Sequence, residues 1–398
     1  MAKAKIYFSA CGLGLGHISR CLEVYGRLKS LGGFEFFFSS YLDGLPRLSK
    51  EGVRFAEAPA FSYWTWPDGT VDPWRTMKWL SGRLLFRFAE QVAFELRQAA
   101  SFKPDLIISD TRLSTVVAGR LLGKPILTIL NQLRIIAPGL IHYPRLFRFS
   151  DFFSHGFIEP GWGLSDRILI PDFPPPYTIS GENLRAPPAL KRKIRYVGPL
   201  LPFKPEEIGS QEELKKQFGF NPDEPLVYAS VSGPYHERWW LGSKLLKLFS
   251  NPPEGFQVAL SLGGYGDFEG GGGKVKVYSW LPDRFKMLKA CDLVLSRSSH
   301  GTITQALAYG KPLLLIPTQE QTEQIFNARK AVRLGVAKAL DPRYLSKEKL
   351  HSLIVEMLGD EACKRRAERI GREAGKLRGV EAVVEEALSL LGLHPNLP

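Results

Sequence analysis

The stretch Lys5–Gly32, "KIYFSACGLGLGHISRCLEVYGRLKSLG", sets the frame for the whole chain. An apolar run (Ile6–Ala10) reads as a buried strand. A glycine loop follows, "CGLGLGH" from Cys11 to His17. Ile18, Cys21, Leu22, Tyr25 and Leu28 then recur at helical spacing. Strand, glycine turn and helix make the opening of a βαβ unit. The loop itself can be read three ways: a dinucleotide fingerprint, a plain tight turn, or a loop that presents His17 to a ligand. A dinucleotide site asks for G-x-G-x-x-G and an acidic residue about twenty positions on. Here the pattern is G-x-G-x-G, and Asp43 comes late. Glycines let backbone approach a ligand, and a helix start offers open N–H groups. A histidine there suits proton transfer near neutral pH.

The same alternation runs outward from this unit. Strands are expected at "FEFFFSS", "VRFAEA", "DLIISD" and "PILTIL", with one long helical stretch from about Pro73 to Ala100. The rhythm falters between Arg134 and Lys193, and "IRYVGPLLPFKP" leads into a proline-bearing linker. A second α/β series starts at "PLVYASVSG" and runs through "FQVALSLGG", "KVKVYSW", "CDLVLSRSS", "KPLLLIP" and "VAKALD". The expected fold class is α/β, with two Rossmann-like, doubly wound parallel-sheet domains. They cover residues 1–198 and 199–398, the last helices being able to pack back on the first domain. Domains of this kind bind ligand beyond the strand C-termini, which suggests a cleft between them.

Composition narrows the function classes. The chain has 398 residues, 44% of them hydrophobic, enough for two cores. No apolar run is long enough for a spanning helix, and the first residues lack a secretory signal. Four scattered cysteines form no CxxC pair, so free thiols in a cytoplasmic protein are expected. A net charge of +13 favours anionic partners. Recognised nucleic-acid-binding motifs are missing, so nucleic acid ranks behind other anions.

A second stretch carries a family resemblance. "LVLSRSSHGTITQALAYGKPLLLIPTQEQTEQIFNA" (Leu293–Ala328), with "CGLGLGHISR" and "VYASVSG" (Val227–Gly233), resembles the GT-B glycosyltransferases. The likeness is nearest to the enzymes that add N-acetylglucosamine to lipid I and to their dolichol-pathway and archaeal relatives. The resemblance implies a nucleotide-sugar donor, with UDP as the expected carrier. Gly14, Gly16, Ser232 and Gly233 fall on its glycine loops. Ser298, Ser299, His300, Gly301 and Thr302 fall on its diphosphate loop, with Arg297 as a second positive group. Gln305 stands where a ribose-binding glutamate is usual, and its amide can still donate to a hydroxyl. Glu323 and Gln324 fall on the sugar-contacting pair, and Trp280 and Leu281 on the base-binding segment. His17 is the implied base. Asp110 is either its partner, as in the plant and macrolide branches, or the N-cap of a helix.

No D-x-D triplet occurs, so no metal and no separate cofactor is expected, and helix N-termini would hold the leaving diphosphate. Inversion in a single displacement is implied by the family. On the acceptor side, "WRTMKWLSGRLLFRFAEQ" (Trp74–Gln91) and "HYPRLFRFSDFF" (His142–Phe153) mix aromatic and basic residues. They suit a lipid-linked acceptor and peripheral contact with the inner membrane face. Equally, they suit amphipathic helices with snorkelling cations. The alternatives are a sugar-nucleotide 2-epimerase, or a transferase acting on RNA or a small soluble acceptor.

Overall fold

The structure, a computed structural model, describes residues 3–393 apart from 82, 135, 137–153, 252, 265–269, 271–272 and 282. The stretch His142–Phe153 therefore lies outside the described residues. The chain divides into two compact units. One comprises Met1–Trp64, Asp72–Leu201 and Arg378–Pro398, and the other Thr65–Val71 and Pro202–Leu377. The last helix thus returns to the first unit. The short segment Thr65–Val71 belongs to the second, where the N–H of Val71 donates to the Gln319 carbonyl at 3.2 Å.

The first unit holds β1 (Ala4–Ala10), β2 (Phe34–Ser40), β3 (Phe55–Glu57), β4 (Leu106–Asp110), β5 (Ile126–Ile129), β6 (Arg167–Ile170) and β7 (Ile194–Tyr196). They form one sheet in the order β3-β2-β1-β4-β5-β6-β7, parallel throughout. Strands covered on both faces are apolar without alternation, which is why "FEFFF" and "LIIS" read as runs. The order reverses between β1 and β4, where an open α/β sheet leaves a crevice for ligand. Across that junction Ala10 pairs with Asp110, and the Cys11 N–H extends the ladder to the Asp110 carbonyl at 3.0 Å. The glycine loop therefore starts directly beside Asp110.

The helix Gly16–Leu31 buries Ile18, Cys21, Leu22, Val24 and Leu28. They share a core with Phe8, Ile108 and the Val380, Val383, Val384 and Ala387 face of the helix Gly379–Leu390. Each such aliphatic side chain, fully buried, contributes about 1.5–3 kcal/mol. The start of the helix is thus anchored on a packed base. The expected single helix from Pro73 to Ala100 is instead two, Pro73–Ser81 and Leu84–Phe102.

The second unit holds β8 (Leu226–Ser230), β9 (Gln257–Ser261), β10 (Val275–Tyr278), β11 (Leu293–Ser296), β12 (Leu313–Leu315) and β13 (Ala337–Ala339). Their order is β10-β9-β8-β11-β12-β13, again all parallel. Here the order reverses between β8 and β11, the strands that end at Ser230 and Ser296.

Candidate functional sites in the two units

In the first unit His17 is the second residue of its helix, and Asp110 ends β4. His17 Nδ1 lies 2.7 Å from Asp110 Oδ1. Asp110 is fully buried, while the His17 side chain keeps 19% of its surface open. The helix that follows, Leu113–Leu121, is capped at Arg112 with no side-chain hydrogen bond. Asp110 is therefore not its N-cap and spends its oxygens elsewhere. Arg20 forks onto both of them through Nε and Nη2. Thr111 Oγ1 donates to Oδ1 at 3.1 Å. Thr111 itself sits at φ 54°, a left-handed conformation that a β-branched residue rarely adopts. Backbone strain of this kind costs on the order of 1–3 kcal/mol and gathers at functional sites.

Burial alone would raise the Asp110 carboxyl. The Arg20 and His17 charges, with their hydrogen bonds, outweigh it and hold the carboxyl down to about 2. Asp110 is thus a carboxylate at neutral pH. A 2.7 Å contact between that oxygen and Nδ1 needs a proton on the nitrogen. His17 then carries Nδ1–H, and Nε2 is the ring nitrogen not engaged by Asp110.

The Asp110 value has a consequence for stability. The folded value lies below the ordinary 3.8, so the stabilisation is complete above about pH 4 and is lost as pH falls towards 2. It amounts to about 2 kcal/mol. In acid titrations of unfolding free energy, Asp110→Asn should flatten the decline between pH 4 and 2 by about that amount. Parallel curves for the variant and the parent would show that Asp110 is not held down.

The glycine loop divides its labour. Gly14 has φ 70°, and its N–H donates to Asp43 Oδ2 at 3.1 Å. That amide, a candidate for diphosphate on sequence grounds, has an internal acceptor, and the late Asp43 is the residue that supplies it. Gly16 is different. It is helical, and a Cβ there would meet nothing within 4 Å. Neither conformation nor packing requires the glycine. The N-cap, Leu15, makes no side-chain cap, so first-turn amides stay open beside His17.

The second unit builds its site at the ends of β8 and β11. Ser232 Oγ lies 3.3 Å from Ser299 Oγ, and Ser299 Oγ lies 2.8 Å from Thr302 Oγ1. Gly233 follows Ser232 in the same loop. Ser299 is the N-cap of the helix His300–Ala308 but makes no side-chain bond to its amides. Ser298 is fully buried, and among the described residues its hydroxyl has no hydrogen-bond partner. A buried hydroxyl in that state costs about 1–3 kcal/mol. His300 is buried. Gly301, like Gly16, is a helical glycine whose Cβ would face open space. Gln305 is half-buried one turn further on.

Two donor-side residues, Arg297 and Gln324, are turned into the interior. Arg297 is 1% exposed; its Nη2 donates to the Glu237 carbonyl at 3.1 Å, and its guanidinium lies 5.5 Å from the Trp240 ring. Its charge is built into the interior. Gln324 is buried too. Its Oε1 accepts from the Thr318 N–H at 2.9 Å, and its Nε2 donates to Glu237 Oε2 at 3.3 Å. Its amide is committed inward, whereas Glu323 beside it is half-buried. Trp280 is half-buried, packed near Gly264, and Leu281 is 5% exposed.

Sequence reasoning assigned no role to Arg20, Asn131, Thr111 or Glu237. Arg20 had a readable signal, since i and i+3 share a helix face. The other three act through tertiary pairing and gave none.

Residues 259–377 match the Glycosyltransferase family 28 C-terminal domain. Across nearly the whole chain there is likeness to an uncharacterized glycosyltransferase of Methanosarcina acetivorans, 28% identical over 389 residues, covering 95% of this chain and 96% of that one. A UDP-N-acetylglucosamine--N-acetylmuramyl-(pentapeptide) pyrophosphoryl-undecaprenol N-acetylglucosamine transferase of Thermus thermophilus is 30% identical over 220 residues, 52% of this chain and 58% of that one. Among solved structures, a spinosyn rhamnosyltransferase complexed with thymidine diphosphate superposes with a TM-score of 0.63 at 16% identity, covering 96% and 99% of the two chains. The fold is GT-B. By sequence the chain is similar to glycosyltransferases, the donor-side stretch Leu293–Ala328 lying inside the family 28 match.

Proposed function

We propose that the protein moves a sugar, a hexose or N-acetylhexosamine, from a UDP-linked donor to a hydroxyl of a lipid-linked acceptor, with inversion and without a metal. The observation that carries this reading is the His17–Asp110 contact: an imidazole oriented by a buried carboxylate, with Nε2 available. The acceptor O–H gives its proton to Nε2 as the oxygen bonds to the anomeric carbon. The bond from that carbon to the diphosphate breaks in the same step. Negative charge then grows on the diphosphate, and the uncapped start of His300–Ala308 is suited to receive it. Ser298, Ser299, Thr302 and Gly301 supply hydroxyls and open backbone there. Gln305 and Glu323 are assigned to ribose and sugar hydroxyls, and the segment at Trp280 and Leu281 to the base.

The acceptor class rests on the first unit's surface. Leu85 is 66% exposed, Phe86 71% and Trp74 49%, an unusual outlay of apolar area. Lys78 on the first of these two helices and Arg83, the N-cap of the second, are exposed as well. Such a mixture suits the headgroup region of an anionic bilayer. Among the described residues no helix is long and apolar enough to cross a membrane.

The test is a panel of UDP-, GDP- and dTDP-sugars in the presence of EDTA. A UDP-sugar should raise the melting temperature, by mass action worth about 2.7 kcal/mol at a hundred times Kd, and should release nucleoside diphosphate. No stabilisation by any member would overturn the donor assignment. Conversion of the donor to its 2-epimer would favour the epimerase reading. Loss of turnover in EDTA would remove metal independence.

A further inference from the structure

Arg20 lies one turn after His17 on the helix Gly16–Leu31, and its guanidinium turns back onto the same carboxylate that His17 uses. Nε and Nη2 take the two oxygens of Asp110. Nη2 also lies 3.0 Å from His17 Nδ1, 3.3 Å from Thr111 Oγ1 and 3.2 Å from Asn131 Oδ1. A planar fork on a carboxylate fixes its rotation, so the direction in which Asp110 meets the imidazole is fixed as well. The charge balance matters equally. Asp110 is fully buried and Arg20 only slightly exposed. The neighbouring Cys21 Sγ, 3.7 Å from Asp110 Oδ2, is a neutral thiol that burial keeps protonated. Arg20 is thus the permanent cation of the cluster, and Thr111 and Asn131 add only neutral dipoles.

We propose that Arg20 is a positioning residue of this site: by neutralising and orienting Asp110, it keeps the outer nitrogen of His17, Nε2, free of a proton and ready to accept one. The inference rests on the reading of His17 as the base. Without the arginine, Asp110 would be a buried anion facing a neutral ring. The cluster would recover neutrality by taking up one proton. That proton can enter on the carboxyl, which then donates to Nδ1 and moves the ring proton to Nε2. Otherwise it enters on Nε2 directly. Either route fills the lone pair that catalysis needs.

The experiment is ¹⁵N NMR of the histidine ring nitrogens in the full chain at pH 7.5, with the His17 signals assigned by their loss in His17→Ala. The parent should show a protonated Nδ1 and a bare Nε2. Arg20→Gln should move Nε2 to the protonated position and lower kcat about 10–100-fold with the donor KM unchanged. Arg20→Lys keeps the charge but cannot fork, and should give an intermediate Nε2 signal and an intermediate rate. A folded Arg20→Gln protein with parental ring signals would overturn the proposal, as would a parent whose Nε2 is already protonated. If Arg20→Gln does not fold, Arg20→Lys decides: parental ring signals with parental kcat would overturn the proposal, and the intermediate result would support it. The NMR arm uses no substrate. Ring signals that behave as expected in a protein that transfers no sugar would sink the proposed function and leave the role of Arg20 standing.

Discussion

His17→Ala should lower kcat by about 10²–10⁴-fold, the usual scale for loss of a general base, while the donor KM stays near its parental value. The separation follows from the two sites: His17 belongs to the first unit and the donor residues to the second. Asp110→Asn should also lower kcat. An amide cannot stabilise the imidazolium formed when His17 accepts the acceptor proton, and it leaves the Arg20 guanidinium without its buried counter-charge. The double variant should be scarcely slower than His17→Ala alone, because the pair works as a unit. Rates that multiply in the double variant would mean that Asp110 serves the fold and not the base. Steady-state kinetics of the three variants at one pH settle the point.

The second large effect is expected at the membrane. The protein should sediment with vesicles rich in anionic lipid and should be released by salt. Of the four cations that sequence reading placed at this surface, Arg75 lies 3.5 Å from Asp72, and Arg87 lies 2.9 Å from Glu90. Lys78 and Arg83 are the other two, and both are exposed. Each contributes about 1 kcal/mol near an anionic surface, within a Debye length. Burying the Leu85 and Phe86 side chains adds about 1.5–3 kcal/mol apiece at most. The variant with Lys78→Gln, Arg83→Gln, Leu85→Ser and Phe86→Ser should therefore partition at least about 100-fold more weakly. Equal sedimentation of variant and parent would remove this surface from the account and leave a soluble acceptor as the better reading.

The architecture was legible because its signals are local. A strand, a glycine turn and a helix can be read from Lys5–Gly32, and the donor stretch Leu293–Ala328 carries its own strand ends and helix starts. What stayed hidden depends on strand order. Asp110 could be a cap or a partner until β4 was seen to lie beside β1 with Ala10 opposite Asp110. Arg20 was visible at helical spacing from His17, but its target is 90 positions away. Gln324 shows the opposite failure. Its place in the motif promised a sugar contact, yet Glu237, 87 positions away, draws its amide inward. The stretch from Asp172 reads as irregular for a similar reason. A single carboxylate, that of Asp172, accepts the N–H groups of Phe173, Ile179 and Ser180 and so organises it. Local composition shows only its prolines.

The claim that this chain moves a sugar from a nucleoside diphosphate to a hydroxyl is tested most directly by following the anomeric carbon. A UDP-sugar labelled with ¹³C at C1 would be incubated with the protein and a lipid-linked acceptor fraction and watched by NMR. The account predicts that the label leaves the diphosphate and reappears in an O-glycoside of opposite configuration, and that His17→Ala slows this at least a hundredfold. A label that stays on the diphosphate, or that reaches the glycoside at the parental rate in His17→Ala, would contradict it.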